Sequence, residues 1–226
     1  MAILYIVATP IGNLQDITLR ALETLKTADV IGCEDTRHTR KLLSAFDIHK
    51  PLVTCNAHKE RSEQYEILTY LNNGQNAAYV TDSGTPGLSD PGTALVRRVR
   101  EEGHTVLPVP GASAVTALAS LGGFPGKTLI FEGFLSPKQG RRKKELDLLL
   151  KTEKKFILFE SPFRILKLLA DIKALDPLRL ILLGREMTKQ YEEYREGTAG
   201  ELYEYLEKKD RIRGEFSLLV SGNKKS

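Results

Sequence analysis

The feature that most constrains this chain is an apolar run of strand length that keeps returning between amphipathic helical stretches. Residues 3–8, Ile-Leu-Tyr-Ile-Val-Ala, are continuously apolar. That is the pattern of a strand buried on both faces, as in a parallel sheet covered by helices. Ala21, Leu22, Leu25 and Ala28 then form one helical face, with Asp16 available as its cap. The alternation continues through a strand at 30–33, a helix at 36–46, a strand at 52–55, a polar helix near 60–72 and a strand at 77–81. Asp90-Pro91 reads as an N-cap followed by proline at the first helical position, opening a helix to about residue 102. A strand at 105–109 and a small-residue helix from Ser113 to about Ser120 complete the pattern. Repeated strand–helix units predict a parallel α/β sheet.

Leu121-Gly-Gly-Phe-Pro-Gly-Lys127 is rich in turn formers and marks the expected division into two α/β domains, residues 1–120 and 121–226. In the second, runs at 128–134, 155–160, 178–183 and 216–220 read as strands of a mixed sheet. Ser161-Pro162 is expected to open a helix over 163–173, where Ile165, Leu168, Leu169 and Ile172 repeat at helical spacing. Thr198-Ala-Gly-Glu201 is a capping box before the last helix, and residues 223–226 read as a frayed tail.

Composition narrows the class. Of 226 residues, 41% are hydrophobic and 27% charged, which excludes disorder as the dominant state. No apolar run is long enough to span a membrane, and the N-terminus lacks the basic start of a signal peptide. Two cysteines, Cys33 and Cys55, are too few for a disulfide framework, so a reducing, cytoplasmic setting is expected. His38, His49, His58 and His104 lack ligand spacing, and no metal is expected. A net charge of +4 permits a nucleic-acid partner without requiring one.

Several nucleotide motifs fail. Gly126-Lys127-Thr128 ends like a phosphate loop, but Leu121 stands where its first glycine belongs and a helix precedes it. No Gly-x-Gly-x-x-Gly follows the first strand, and no Gly-x-Ser-x-Gly elbow is present.

What remains is a set of unusual strand-end loops, the places where open α/β sheets bind ligands. Thr9-Pro10-Ile11-Gly12-Asn13 follows the first strand. Glu34-Asp35-Thr36-Arg37-His38-Thr39-Arg40 puts two carboxylates beside two arginines at a helix entrance. They suit either dipole complementation or phosphate binding by Arg37 and Arg40. Residues 82–92, Asp-Ser-Gly-Thr-Pro-Gly-Leu-Ser-Asp-Pro-Gly, hold three glycines and two prolines in eleven positions. A plain turn needs about four residues, so this loop reads as a ligand site, with Asp82 placed to accept from a ribose or an amine. Pro110-Gly111-Ala112-Ser113 opens a helix whose free N–H groups suit an acceptor, or are simply capped by Ser113. Lys138, Arg141, Arg142, Lys143 and Lys144 put five basic residues within seven at a helix start. That placement opposes the helix dipole and favours phosphate binding. The strand-end segments at Glu160–Arg164 and Arg185–Gln190 add candidates.

Taken together, Thr9-Pro-Ile-Gly-Asn-Leu14, Asp16-Ile-Thr18, Glu34-Asp-Thr-Arg37, Asp82-Ser-Gly-Thr-Pro-Gly87, Asp90-Pro-Gly92, Phe131-Glu-Gly-Phe-Leu135 and Arg185-Glu-Met-Thr-Lys189 resemble the tetrapyrrole methylase family. These are the class III S-adenosylmethionine-dependent methyltransferases, and the resemblance covers roughly residues 3–222. The first loop looks like the family's ribosomal RNA branch rather than its glycine-rich tetrapyrrole branch. The resemblance implies two α/β domains with a cofactor cleft between them. It implies S-adenosyl-L-methionine held by Pro10, Asp82, Gly84, Thr85, Ser113 and Ala114, with contributions near Glu160 and Arg185. It implies a cytoplasmic homodimer, with no membrane partner, that methylates a cytidine ribose 2′-hydroxyl in small-subunit ribosomal RNA, expected as part of an assembled particle. Glu34, Asp35, Glu186 and Lys189 are candidates for the base that takes the hydroxyl proton. Two other readings stay open. One is a small-molecule, tetrapyrrole-like methylase of the same fold. The other is a non-catalytic RNA- or nucleotide-binding protein.

Overall fold

A computed structural model describes residues 1–55 and 60–222, with the backbone alone for 60–65. His58 and the tail at 223–226 lie outside the described residues. The chain divides into two units, Met1–Ser113 and Ala114–Ser226.

The first unit is a five-stranded, wholly parallel sheet in the order β3-β2-β4-β1-β5. Its strands are β1 (Ile3–Val7), β2 (Val30–Cys33), β3 (Leu52–Thr54), β4 (Ala77–Tyr79) and β5 (Thr105–Val109). Helices α1 (Leu19–Thr27), α2 (Thr36–Ala45), α3 (Glu60–Asn72) and α4 (Thr93–Glu101) make the crossovers. From β1 the chain moves outward through β2 to β3, then returns across the sheet to β4 and β5. Right-handed crossovers made in opposite directions must place their helices on opposite faces. They do: Ala21 and Leu25 of α1 and Leu43 of α2 pack with Val7, Ile31, Ala78 and Val80. Ile67 and Leu71 of α3 and Leu95 and Val99 of α4 pack with Leu4, Val30, Ala77 and Tyr79. Both faces are covered, which is why these strands read as unbroken apolar runs. The edge strand β5 carries Pro108, whose missing N–H costs nothing on an open edge.

Two helix starts differ from the sequence expectation. Helix α1 is capped by Thr18, whose Oγ1 accepts from the Ala21 amide at 3.0 Å. Asp16 instead ends a short 3-10 turn over Leu14–Asp16. Helix α4 begins at Thr93, not after Asp90-Pro91, because Gly92 stands at φ +126° and cannot continue a helix backwards. A Cβ on Gly92 would also lie 2.8 Å from Tyr79 Cε1.

The second unit has a mixed sheet in the order β6-β7-β10-β8-β9. Its strands are β6 (Leu129–Phe134), β7 (Lys155–Glu160), β8 (Leu180–Arg185), β9 (Glu193–Thr198) and β10 (Phe216–Val220). Strands β6 and β7 are parallel, while β10 runs antiparallel to β7 and β8, and β9 antiparallel to β8. Helices α6 (Gln139–Lys151), α7 (Ile165–Leu175) and α8 (Ala199–Glu207) cover one face, burying Leu146, Leu168, Ile172 and Leu202 against Phe156, Leu158, Leu183 and Leu218. The expected stripe Ile165, Leu168, Leu169, Ile172 is wholly buried. The Thr198–Glu201 capping box is formed. Helix α7 starts at Ile165, with Ser161 accepting from the Arg164 and Ile165 amides in the turn before it.

Helix α5 (Ala114–Leu121) groups with the second unit, so the division falls at 113/114 rather than the expected 120/121. Packing decides this. Helix α5 lies on β10, Leu219 leaves no room for a Cβ at Gly122, and Gly184 of β8 gives Leu118 space. A turn-rich sequence marks where a helix ends, not which core claims it. Strand β9 carries no strand signal in its sequence. Glu-Tyr-Arg-Glu-Gly-Thr has no apolar alternation, and it pairs as a charged edge strand along β8.

Candidate functional site

In the first unit, β2 sends its connection one way along the sheet and its neighbour β4 sends the opposite way. The switch point therefore lies between the carboxyl ends of β2 and β4, where open α/β sheets leave a crevice. Glu34 directly follows β2 and Asp82 stands three residues beyond β4. The Asp82 amide donates to the Glu34 carboxylate. Burial pushes the Glu34 carboxyl above the ordinary range, and the Asp82 charge pushes it further. Asp82 Oδ1 is itself buried and has no hydrogen-bond partner among the described residues. A buried acceptor without a donor costs free energy, so this atom suits a group that the described residues do not supply.

The loops after β1, β4 and β5 are tied together around that point. The Thr9 amide donates to Gly84 O at 2.9 Å and the Gly84 amide to Thr9 O at 3.0 Å. Thr85 Oγ1 donates to Ala112 O at 3.2 Å, and Thr9 Oγ1 to Thr81 O at 3.3 Å. Gly84 takes φ +76°, which a side chain would strain. Gly111 lies so close to Ala8 that a Cβ on it would be 3.1 Å from the Ala8 Cβ. Pro10 is half-buried beside the Thr9–Gly84 bridge, and Ser113 and Ala114 end the third loop at the start of α5. The structure thus brings Pro10, Asp82, Gly84, Thr85 and Glu34 to one edge of one sheet.

Asp35, Arg37 and Arg40 are placed differently. Asp35 caps α2 through the Arg37 amide at 2.8 Å and pairs with the Arg37 guanidinium at 2.8 Å. Those bonds hold its carboxyl well below the usual carboxylate range. A carboxylate held this way is a poor proton acceptor, so Asp35 is a cap and not the base. Arg37 and Arg40 are exposed on the outer side of α2. Cys33 and Cys55 are buried on opposite faces of the sheet, and burial pushes the Cys33 thiol up.

In the second unit, β6, β7 and β8 run the same way, so their strand-end loops share one edge of that sheet. Glu160 is 2% exposed. Its Oε1 accepts from the Ser161 amide at 2.8 Å and from Arg164 at 2.7 Å, while Oε2 is buried without a partner among the described residues. Arg185 is taken up by the chain itself. Its Nε donates to Arg213 O at 2.7 Å, and Nη1 lies 3.2 Å from Glu193. Glu193 also binds Lys209 at 2.7 Å and the Tyr205 hydroxyl. Glu186, at φ +50°, accepts from the Glu215 amide at 2.9 Å and from Lys189 at 3.1 Å, and Lys189 reaches Glu215 at 2.9 Å. Burial alone would raise Glu186, but the Glu215 amide and Lys189 outweigh it and hold it low. Burial opposes the Lys189 charge, and its two carboxylates outweigh that and hold it protonated. Neither is poised to take a proton.

The basic cluster divides. Lys138, Arg141, Lys143 and Lys144 are exposed, and Arg141 pairs with Glu145 at 2.8 Å. Arg142 does not belong with them. It is 3% exposed, with Nε 2.8 Å and Nη2 2.7 Å from Asp171 Oδ2. It clamps α6 to α7, and its place among the phosphate-binding residues is corrected. The available signal was Asp171 itself, a carboxylate inside the apolar stripe of α7, which calls for a buried cation. Among the described residues no cluster of His, Cys, Asp and Glu is arranged to hold a metal.

A doubly wound parallel sheet with tied Gly- and Pro-rich loops and an unpartnered buried carboxylate at its switch point defines a ligand-binding α/β enzyme class. The family model for tetrapyrrole (corrin/porphyrin) methylases matches residues 3–203, and the chain belongs to that family. It is 48% identical to ribosomal RNA small subunit methyltransferase I of Borrelia garinii subsp. bavariensis, over 96% of this chain and 98% of that one. It is 42% identical to the Bacillus subtilis protein of the same name, over 99% and 76%. Among solved structures it resembles a cobalamin biosynthetic cobalt precorrin-4 methyltransferase with TM-score 0.72 at 16% identity, covering 96% of this chain and 94% of that one. Uroporphyrin-III-C-methyltransferase from Thermus thermophilus gives 0.67 at 17%, covering 97% and 94%. These two likenesses concern the fold.

Proposed function

We propose that this protein is an S-adenosylmethionine-dependent methyltransferase that modifies a cytidine ribose 2′-hydroxyl in small-subunit ribosomal RNA. One observation carries the chemistry: the buried Asp82 Oδ1 at the switch point, without a partner among the described residues, beside the loops that the Thr9–Gly84 bridge ties together. A lone carboxylate acceptor in such a crevice fits the ribose hydroxyls or the ammonium of an adenosyl amino acid. The RNA substrate is supported by the relatives' name and by the exposed basic residues Arg37, Arg40, Lys138, Arg141, Lys143 and Lys144.

Pro10, Asp82, Gly84, Thr85, Ser113 and Ala114 would hold the cofactor, with Glu160 offering a second buried acceptor from its own unit and Arg185 serving as an orienting residue. Bound there, the cofactor supplies an electrophilic methyl group on a sulfonium. The protein's own task is alignment, which can supply roughly 7–11 kcal/mol when the reacting groups are held at near-attack distance. The ribose hydroxyl must also lose its proton. Of the four candidate bases, Glu34 is the one whose carboxyl is raised and, among the described residues, left without a cation, so we assign it that role. We further place the enzyme in the cytoplasm as a homodimer, with no membrane partner. No described helix is long and apolar enough to cross a membrane.

The test is incubation of unmodified small ribosomal subunits with isotope-labelled S-adenosylmethionine, followed by mapping of the label. Label on a cytidine 2′-oxygen is the expected result. Label on a base, or none on RNA, refutes the assignment. RNA affinity should fall steeply with salt, and a flat response would remove the basic residues from the interface.

A further inference from the structure

Helix α2 carries its charge differently from helix α4 of the same unit. Thr36–Ala45 holds Arg37, His38, Arg40 and Lys41 and no acidic residue. Its cations crowd the N-terminal half, although the helix dipole favours cations at the other end. Helix α4 shows how this unit arranges a basic face that is merely solvated. There Arg98 and Arg100 stand in the last turn, and Arg97 and Arg98 pair with Glu101 and Glu102 at 4.0 and 3.0 Å. Helix α2 has neither device. Asp35, just before its first turn, is taken by Arg37, whose Nε and Nη2 donate to it at 3.2 and 2.8 Å. Arg40 and Lys41 are exposed and in no ion pair among the described residues. Residues 37, 40, 41 and 44 recur at helical spacing, so Arg37, Arg40, Lys41 and Ser44 form one exposed stripe, while Thr39 and Leu43 are buried on the other side.

The stripe begins at the candidate base. Glu34 and Asp35 are the two residues between β2 and α2. Cys33 is the last residue of β2. Burial is the largest influence on its thiol, and Asp82, Asp35 and Arg40 act on it through their charges. Asp82, from the loop after β4, and Arg40, from α2, therefore converge on one strand end. Glu34 and Asp82 set two carboxylates there, and no cation pairs with Glu34 among the described residues. A phosphodiester brought beside them is repelled unless a cation faces it. Arg40 supplies that cation, in the planar fork that suits a phosphate. In RNA the 2′-hydroxyl and the 3′-phosphate hang from neighbouring ribose carbons. Gripping that phosphate therefore fixes where the hydroxyl falls.

We propose that Arg40 grips the phosphate on the 3′ side of the target ribose and so delivers its 2′-hydroxyl to Glu34, while Lys41 binds a neighbouring phosphate. This inference rests on the RNA reading above and names where the backbone of that RNA lies, along α2. Arg40 is thus a positioning residue, and the proton goes to Glu34.

The test is methyl transfer by the full chain to unmodified small subunits, with subunit affinity measured across a salt series. Arg40→Gln should raise KM for subunits roughly 10-fold, the loss of a charge-assisted hydrogen bond. It should lower kcat by up to about 100-fold, the cost of misplacing the ribose by an ångström. The slope of log affinity against log salt should shrink by about one. Arg40→Lys should restore the slope and part of kcat, because it keeps the charge without the fork. Lys41→Gln should shrink the slope by about one and raise KM with kcat unchanged. Arg97→Gln on α4 should leave KM, kcat and slope as they are. Calorimetry should give all four variants wild-type affinity for S-adenosylmethionine, since these side chains are exposed and outside the cofactor loops. Wild-type KM, kcat and slope in Arg40→Gln overturn the proposal and leave the RNA reading standing. A fall in kcat with an unchanged slope, or one that Arg40→Lys does not relieve, overturns it as well. If the wild-type protein transfers no methyl to small-subunit RNA, the RNA reading itself falls and takes the proposal with it.

Discussion

Replacing Asp171 by alanine should destabilise the second unit severely. Arg142 is 3% exposed, and two of its nitrogens lie 2.7–2.8 Å from one Asp171 oxygen. Removing the carboxylate leaves the guanidinium with the Pro137 carbonyl, at 3.4 Å, as its remaining partner among the described residues. Lys143, at 3.6 Å from the other Asp171 oxygen, is half-exposed and can turn to water without cost. Arg142 cannot. An uncompensated buried charge of this kind costs about 3–5 kcal/mol. At roughly 2–4 °C per kcal/mol for a chain of this size, the melting temperature should fall by about 6–20 °C. Thermal unfolding followed by circular dichroism measures it. The paired change Arg142→Met with Asp171→Leu removes both charges and should be neutral to about 4 kcal/mol more stable. It should also leave RNA affinity and its salt slope unchanged, because Arg142 is a clamp. A fall under 2 °C in Asp171→Ala, or an RNA defect in the double variant, would refute this account of Arg142.

Three further outcomes are expected. Asp82→Ala should weaken S-adenosylmethionine binding roughly 10- to 150-fold, the loss of hydrogen bonds to a charged acceptor, and calorimetry showing unchanged affinity would remove Asp82 from the site. Gly92→Ala combines positive-φ strain with a contact 2.8 Å from Tyr79, and should cost about 2–5 kcal/mol in urea unfolding. Glu34→Gln should abolish the acidic limb of the kcat profile while raising stability at neutral pH. A carboxyl whose folded pKa is raised makes the fold bind more protons than the unfolded chain, so wild-type stability falls as pH rises through the ordinary glutamate range, and glutamine escapes that loss. A variant that retains the limb, or is less stable at pH 7, contradicts the role given to Glu34.

Much of the architecture was written into local pattern. Ile3–Val7, Val30–Cys33 and, apart from Ser217, Phe216–Val220 carry apolar residues or glycine on both faces, the pattern of covered strands. The stripe of α7 and the Thr198 capping box report their own surroundings. Glycine and proline density around 82–92 marked a loop with demands beyond a turn, because backbone at positive φ is costly to any other residue. Tertiary structure decided what local pattern cannot encode, namely which distant group answers each charge. Arg142 and its exposed neighbours are chemically alike, and Asp171 alone sets it apart. Asp35 and Glu34 are adjacent carboxylates. A helix amide and Arg37 make one a cap, while burial beside Asp82 leaves the other raised. The pairing of charged β9 to β8 and the allegiance of α5 to the second core likewise depend on contacts across long sequence separations. A residue's type travels with the chain, but its electrostatic role belongs to the neighbours that folding brings.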